Sequence, residues 1–203
     1  MENIGIFGGT FNPIHWGHLL VAETAFNQFG LDQVIWVPAY QPPHKRQPLP
    51  TFSQRLEMVQ LAIADHPGFR VSSLEAEAPH MSYAITTLAS LQALYPNTHW
   101  HWIVGMDAFQ TLPKWRNSST LAAQCIWLVA PRRTGGQQEG AQAAIDQQVL
   151  APLGSLRWYP LSMPLIEISS SLIRQYCLES RSIRYLVPDP VRTYIEKLKL
   201  YTK

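Results

Sequence analysis

Charge is what this 203-residue chain has least of: Asp, Glu, Lys and Arg together make up 15% of it, against about a quarter in an ordinary soluble domain. Sixteen basic and 14 acidic residues leave a formal net charge of only +2. Without a long basic run, no nucleic-acid surface is expected, although a local basic pocket for a small anion is still allowed. The 46% of apolar residues excludes a disordered chain. Cysteine is almost missing. Cys125 and Cys177 stand alone in apolar patterns and outside any C-x-x-C, so they read as buried free thiols and exclude a disulfide framework. No apolar run approaches the ~18 residues of a membrane span. The chain opens almost directly on a strand-like segment, leaving no room for a signal peptide, so no membrane partner is expected and cytoplasm is the expected location. Repeats and linkers are also lacking. The expectation is one domain over 1–203, with 165–203 as its C-terminal helical part.

Two familiar phosphate motifs are missing too, G-x-x-x-x-G-K-[ST] and G-x-G-x-x-G, and no H-E-x-x-H suggests a metal site. What is present instead lies near the start. Residues 3–7 form a short apolar run of β-formers, broken by Gly8-Gly9, where the backbone can turn sharply and a ligand can come close. After the Pro13 turn, Leu19, Val21, Ala22, Ala25, Phe26 and Phe29 recur at helical spacing, and Gly30 stands where a helix ends. His15 and His18, three apart, share one face of the helix entrance. A helix N-terminus presents free N–H groups and a positive dipole end, which suits phosphate. Taken alone, the two histidines also fit a cap, packed side chains, or two metal ligands lacking a third.

Further along, residues 34–37 read as a second strand, followed by a proline-stiffened loop whose one charged cluster is His44-Lys45-Arg46. That cluster is either a solvated surface or a basic arm over the strand ends. Thr51-x-x-Gln54 is a capping box before a helix marked by Leu56, Val59, Ala62 and Ile63. Strands are expected at 69–73, 100–104, 126–130 and 156–159, with a helix capped by Ser82 between the first two. Gly105-x-Asp107 follows a middle strand, where a ligand-facing carboxylate or a plain turn would stand. Trp115 between Lys114 and Arg116 is a packed lid or a stacking platform, and Arg132-Arg133 lie in the loop after the fifth strand. The Gln- and Ala-rich segment 137–148 is helical in propensity, and it is where a partner surface, including one for a second copy of the chain, would be sought. Late in the chain, Ile168-Ser169-Ser170-Ser171-Leu172-Ile173-Arg174 opens a helix with serines and an arginine one turn in. Asp189-Pro190 is expected to cap the last helix. Strands alternating with helices imply an α/β fold with a doubly wound parallel sheet, whose strand ends bring these groups to one edge.

The string Gly-Gly-Thr-Phe-Asn-Pro-x-His-x-Gly-His resembles the defining motif of the HxGH nucleotidyltransferases. Over nearly its full length the chain resembles the bacterial nicotinate mononucleotide adenylyltransferases. The likeness rests on Gly8 to His18, on Pro42-Pro43-His44-Lys45, on Ser82-Tyr83 with Gly105-x-Asp107 and Trp115, and on Ile168 to Arg174. Asn12 replaces the usual Asp, Ala84 stands where Thr is frequent, and Ser171 replaces Thr but keeps the hydroxyl. The resemblance implies a Rossmann-like nucleotidyltransferase fold and adenylyl transfer from ATP, with its Mg²⁺, to nicotinate mononucleotide. It implies His15, His18 and Arg174 as catalytic residues. It implies ATP contacts from Gly8, Gly9, Thr10, Phe11, Gly105, Asp107, Ile168, Ser169, Ser170 and Ser171 as well. His44, Lys45, Tyr83, Thr86, Thr87 and Trp115 would face the mononucleotide, and Arg132 and Arg133 are further candidate phosphate contacts. The rival readings are a related enzyme using nicotinamide mononucleotide, phosphopantetheine or a cytidylyl donor, and a non-catalytic nucleotide-binding protein.

Overall fold

The structure, a computed structural model, describes residues 1–41, 50–77, 82–131, 149, 151–154 and 156–202. Its centre is the apolar run after Met1: Glu2–Gly9 forms strand β1, with Ile4 and Ile6 fully buried. Helix α1 (Trp16–Gln28) and strand β2 (Gln33–Pro38) follow, with Gly30 at φ +56° turning the chain out of the helix. Next come α2 (Phe52–Ile63), β3 (Phe69–Val71), α3 (Leu74–Glu77), α4 (Ala84–Leu94) and β4 (Thr98–Gly105). Short helix α5 (Met106–Gln110), a 3₁₀ turn at Leu112–Lys114, α6 (Ser118–Gln124) and β5 (Ile126–Ala130) lead to β6 (Arg157–Pro160). Helices at Ser170–Leu178 and Asp189–Lys197 complete the described chain.

The six strands pair in the order β3-β2-β1-β4-β5-β6, and every pairing is parallel. Ile6 lies opposite Ile35 of β2 on one side and Trp102 of β4 on the other. The chain winds one way from β1 to β3, then crosses back to β4. In such a sheet the ends of β1 and β4 diverge, which opens a crevice at their C-terminal edge. The Gly8-Gly9 turn and Gly105 stand on the two lips of that crevice.

Period-two alternation sends neighbouring residues to opposite faces. On one face Phe7, Ile103 and Leu128 pack with Ala22, Met58, Ile173, Val191 and Ile195, so the two C-terminal helices share a core with α1 and α2. On the other face Ile4, Ile6, Trp102, Trp127 and Val129 pack with Leu88, Leu91, Phe109 and Leu121. Cys125 is buried there, and burial pushes its thiol up to about 12, which makes it an inert apolar group. Among the described residues no helix is long and apolar enough to cross a membrane.

Several local expectations shift. β3 stops at Val71: the Ser72 N–H still donates to the Trp36 carbonyl at 2.9 Å, and the Ser72 hydroxyl accepts the Leu74 N–H, where the unforeseen α3 starts. Helix α4 takes Tyr83, not Ser82, as its cap; the Ser82 hydroxyl instead accepts the N–H of Gln41 at 3.3 Å. Pro188 caps the last helix, and Asp189 is its first residue, accepting a hydrogen bond from Arg192 Nε at 3.0 Å. The Thr51 capping box forms as expected.

Candidate active site

A cavity of about 660 Å³ occupies the crevice. Of the residues implicated by sequence, Gly8, Gly9, Phe11, His15, His18, Gly105, Asp107, Ile168, Ser169 and Ser170 line it. They arrive from four separate parts of the chain. Gly9 is required by close packing: a Cβ there would lie 2.9 Å from the Phe11 ring, which folds back over the strand end. Phe11 itself adopts φ +46°, and its ring is held edge-on against Phe7 and His18. Gly9 also accepts the Ala39 N–H at 2.8 Å, joining the turn to the exit of β2.

His15 caps α1 in extended conformation, and His18 lies one turn on. Their rings stack with centroids 3.7 Å apart and planes at 30°. Gly17 makes room for this, since a Cβ there would lie 3.0 Å from the His15 ring. The His15 N–H donates to His18 Nδ1 at 3.2 Å, which places the ring proton of neutral His18 on Nε2. His15 is 6% exposed, and its Nδ1 is buried with no hydrogen-bond partner among the described residues. Burial pushes its imidazolium down to about 4, so the ring is neutral at physiological pH.

The serine-rich helix faces this pair. Ser169 caps it by accepting the Leu172 N–H, and Ser170 donates to the Pro13 carbonyl at 2.8 Å. Arg174 donates to the Asn12 carbonyl at 2.9 Å and to Ser171 Oγ at 3.2 Å. Thr10, Ser171 and Arg174 do not line the cavity; Thr10 and Ser171 adjoin lining residues in the chain, and Arg174 is tied to Asn12 and Ser171. On the far side of the turn, the Tyr201 hydroxyl donates to Asn12 Oδ1 at 2.6 Å, and burial pushes that phenol up. An amide at position 12 therefore serves as an acceptor, the same role a carboxylate would have had towards this hydroxyl.

Of the residues assigned to the mononucleotide, Tyr83, Thr86, Thr87 and Trp115 lie outside the cavity wall. Trp115 donates its ring N–H to Thr111 Oγ1 at 3.0 Å and packs edge-on against Trp102 and Trp127. Trp102 is also the nearest neighbour a Cβ on Gly8 would have, so Trp115 sits one ring away from the glycine turn. Tyr83 lies beneath the Arg116 guanidinium, 4.8 Å from its ring centroid. Thr86 is exposed, whereas Thr87 is buried and donates to Glu75 at 2.8 Å, so of the two hydroxyls that of Thr86 is the accessible one. His44, Lys45, Arg132, Arg133 and the segment 137–148 lie outside the described residues.

Sequence reasoning passed over Arg55, Glu75, Arg116 and Tyr201. Arg55 left a readable trace, since positions 55, 58/59 and 62/63 make one stripe of α2, and an arginine on an apolar stripe asks for internal partners. Tyr201 carried no such sign.

The cytidylyltransferase-like family model matches residues 6–176. Relatives carrying the name nicotinate-nucleotide adenylyltransferase align end to end. The one from Trichormus variabilis is 50% identical over 100% of this chain and 99% of its own, and that from Gloeobacter violaceus is 42% identical over 98% and 96%. The chain belongs to the nicotinate-nucleotide adenylyltransferase family. The Plasmodium falciparum nicotinic acid mononucleotide adenylyltransferase, solved complexed with NaAD and with APC, has the same fold at a TM-score of 0.77 and 21% identity. It covers 99% of this chain and 98% of its own. The Rossmann-like nucleotidyltransferase fold implied by the motifs is therefore the fold observed, and the motif that carried the family resemblance, Gly8 to His18, contributes Gly8, Gly9, Phe11, His15, Gly17 and His18 to the cavity wall.

The His15 ring is expected to titrate near 4 rather than near 6.5 when followed by NMR of its ring signals. Because the folded value lies below the unfolded one, the unfolded chain takes the proton first as pH falls. The contribution is thus fully present above pH 6.5 and is lost towards pH 4, by up to about 3 kcal/mol at ~1.36 kcal/mol per pKa unit. Urea denaturation at several pH values measures the loss. A ring that titrates at its ordinary value contradicts the burial described here.

Proposed function

We propose that this adenylyltransferase joins the AMP part of ATP to nicotinate mononucleotide, giving deamido-NAD and pyrophosphate. The observation that carries the reading is the neutral His15 imidazole stacked on His18 at the mouth of α1, both lining a cavity between two strand ends. The acceptor's 5′-phosphate oxygen attacks the α-phosphorus. The bond from that phosphorus to the oxygen bridging to the β-phosphate breaks, and pyrophosphate leaves with the electron pair. A phosphate monoester, with its second pKa near ~6, arrives ionised at neutral pH, so no side chain has to remove a proton.

Catalysis then consists of holding the two phosphates in line and stabilising the charge that builds on the α-phosphate and the leaving group. His18 brings a ring N–H and α1 the positive end of its dipole to the α-phosphate, and the neutral His15 ring stacked on His18 lends a second imidazole beside it. Arg174, of whose five donors two are engaged among the described residues, would stabilise the departing β- and γ-phosphates. Ser170 and Ser169 are spent on positioning: one holds the Pro13 carbonyl and the other the helix cap. Mg²⁺ enters as part of the substrate, bound to the triphosphate. Among the described residues no group of three or more His, Cys, Asp or Glu could hold a metal ion. Lys45 and His44 are assigned to the mononucleotide phosphate by family resemblance.

The pyridine carboxylate would be read at the entrance of α4. Its cap, Tyr83, makes no side-chain bond to the first turn, so N–H groups there are available to an anion, with Thr86 beside them and Trp115 as the ring platform. Donors to an ionised acceptor contribute ~1.5–3 kcal/mol, a preference of roughly ten- to a hundred-fold over the carboxamide.

Pyrophosphate release from ATP is expected with nicotinate mononucleotide and, at kcat/KM roughly ten- to a hundred-fold lower, with nicotinamide mononucleotide. Equal or reversed values, or release with phosphopantetheine instead, would place the enzyme elsewhere in the superfamily. His18→Ala is expected to lower kcat by the equivalent of roughly 2.7–4 kcal/mol while ATP binding changes little, since its donor acts on charge that develops during transfer. Steady-state kinetics beside an ATP titration decide this, and an unchanged kcat refutes the role.

A further inference from the structure

Arg55 is 1% exposed, and burial lowers its pKa. Its guanidinium donates to three main-chain carbonyls from three stretches of chain: Thr10 at 2.9 Å, Tyr40 at 3.2 Å and Pro50 at 3.4 Å. Thr10 belongs to the turn that lines the nucleotide cavity. Tyr40 and Pro50 flank the segment that carries His44 and Lys45. The Tyr40 peptide is gripped from its other side as well, because its N–H donates to Glu75 Oε2 at 3.0 Å. The second oxygen of Glu75 accepts the Thr87 hydroxyl at 2.8 Å. A continuous polar chain thus runs from the nucleotide turn, through Arg55, the Tyr40 peptide and Glu75, to the helix that begins at Tyr83.

Stability alone is a poor reason for such an arrangement. Among the described residues no ion pair joins Arg55, and a buried charge is often replaced by apolar residues of similar size without loss. What an apolar side chain cannot do is fix three carbonyls at set separations. The planar fork of a guanidinium can.

We propose that Arg55 is a positioning residue that sets the spacing between the nucleotide half and the mononucleotide half of the site, acting through main-chain carbonyls and never touching substrate. This rests on the two-substrate reading above. Each half keeps its own contacts when the link is cut, so each substrate still binds. What is lost is alignment, and a misplacement of ~1 Å between reacting groups costs on the order of a hundred-fold in rate.

The test compares wild type, Arg55→Lys and Glu75→Ala. Lysine has a single nitrogen that cannot span the three carbonyls, and alanine removes both acceptors at position 75, whereas glutamine could keep both contacts by donating to the Thr87 hydroxyl, which has the Tyr83 carbonyl as a second acceptor at 3.3 Å. Folded fraction is measured by near-UV circular dichroism and urea titration, and kcat is expressed per folded molecule. For Arg55→Lys, kcat is expected to fall ten- to a hundred-fold with both KM values within threefold of wild type. For Glu75→Ala the same pattern is expected, with a fall of at least fivefold. A kcat per folded molecule less than fivefold below wild type, even with lowered stability, overturns the proposal. So does a rise in one KM at unchanged kcat, which would make Arg55 an aid to binding one substrate. Should Arg55→Lys fail to fold, Glu75→Ala decides on the same criterion. Wild type assayed in parallel separates the two readings: if it rejects nicotinate mononucleotide, the substrate assignment fails, and the same split is read with the acceptor it does use.

Discussion

Two side chains of one late helix reach back across the molecule to the carbonyls of the Asn12–Pro13 turn, Arg174 to the first and Ser170 to the second. They close stretches of 162 and 157 residues, and everything at the crevice depends on them. The turn has little secondary structure to hold it, and its peptide groups must find partners elsewhere. Once it is held, His15 has only one position at the cap of α1, and His18 follows by helical geometry. Tyr201 holds the Asn12 side chain from the other direction, so the C-terminal part of the chain frames a site built from its N-terminal part. A charge-assisted hydrogen bond of this kind is worth ~1.5–3 kcal/mol, enough to decide the conformation of a six-residue loop.

The strands and the cluster of residues that lines the crevice were legible because their signals are local. A β-former run broken by paired glycines, histidines three apart at a helix start, and serines opening a late helix can each be read within a dozen residues. Gly17 is an instructive case: the motif demands it, and the structure supplies the reason in the space taken by the His15 ring. What escaped reading depends on partners far away in the chain. Arg55 stands out only as a charge on the apolar stripe of its helix, and that pattern does not name its partner Thr10, 45 residues earlier. Tyr201 meets Asn12 across 189 residues, and no periodicity announces such a pair. Thr87 looked equivalent to Thr86, and only the position of Glu75 separates a structural hydroxyl from an accessible one.

The chemistry accords with this architecture. A reaction whose nucleophile is already ionised asks for donors held still, and the crevice offers them on elements locked by main-chain contacts. Burial keeps His15 neutral, which suits a hydrogen-bonding ring beside a second imidazole 3.7 Å away, where two imidazolium charges would repel. The same burial makes His15 unsuited to acting as a base that switches on near neutrality.

That point gives the most direct test of positioning as the source of rate. The dependence of kcat/KM on pH, measured with ATP and nicotinate mononucleotide under saturating Mg²⁺, is expected to be flat between about pH 7 and 9, because no group has to lose a proton there for transfer to proceed. A rise of tenfold across that range, removed by substituting one of the two histidines, would show a general base at work and contradict the account.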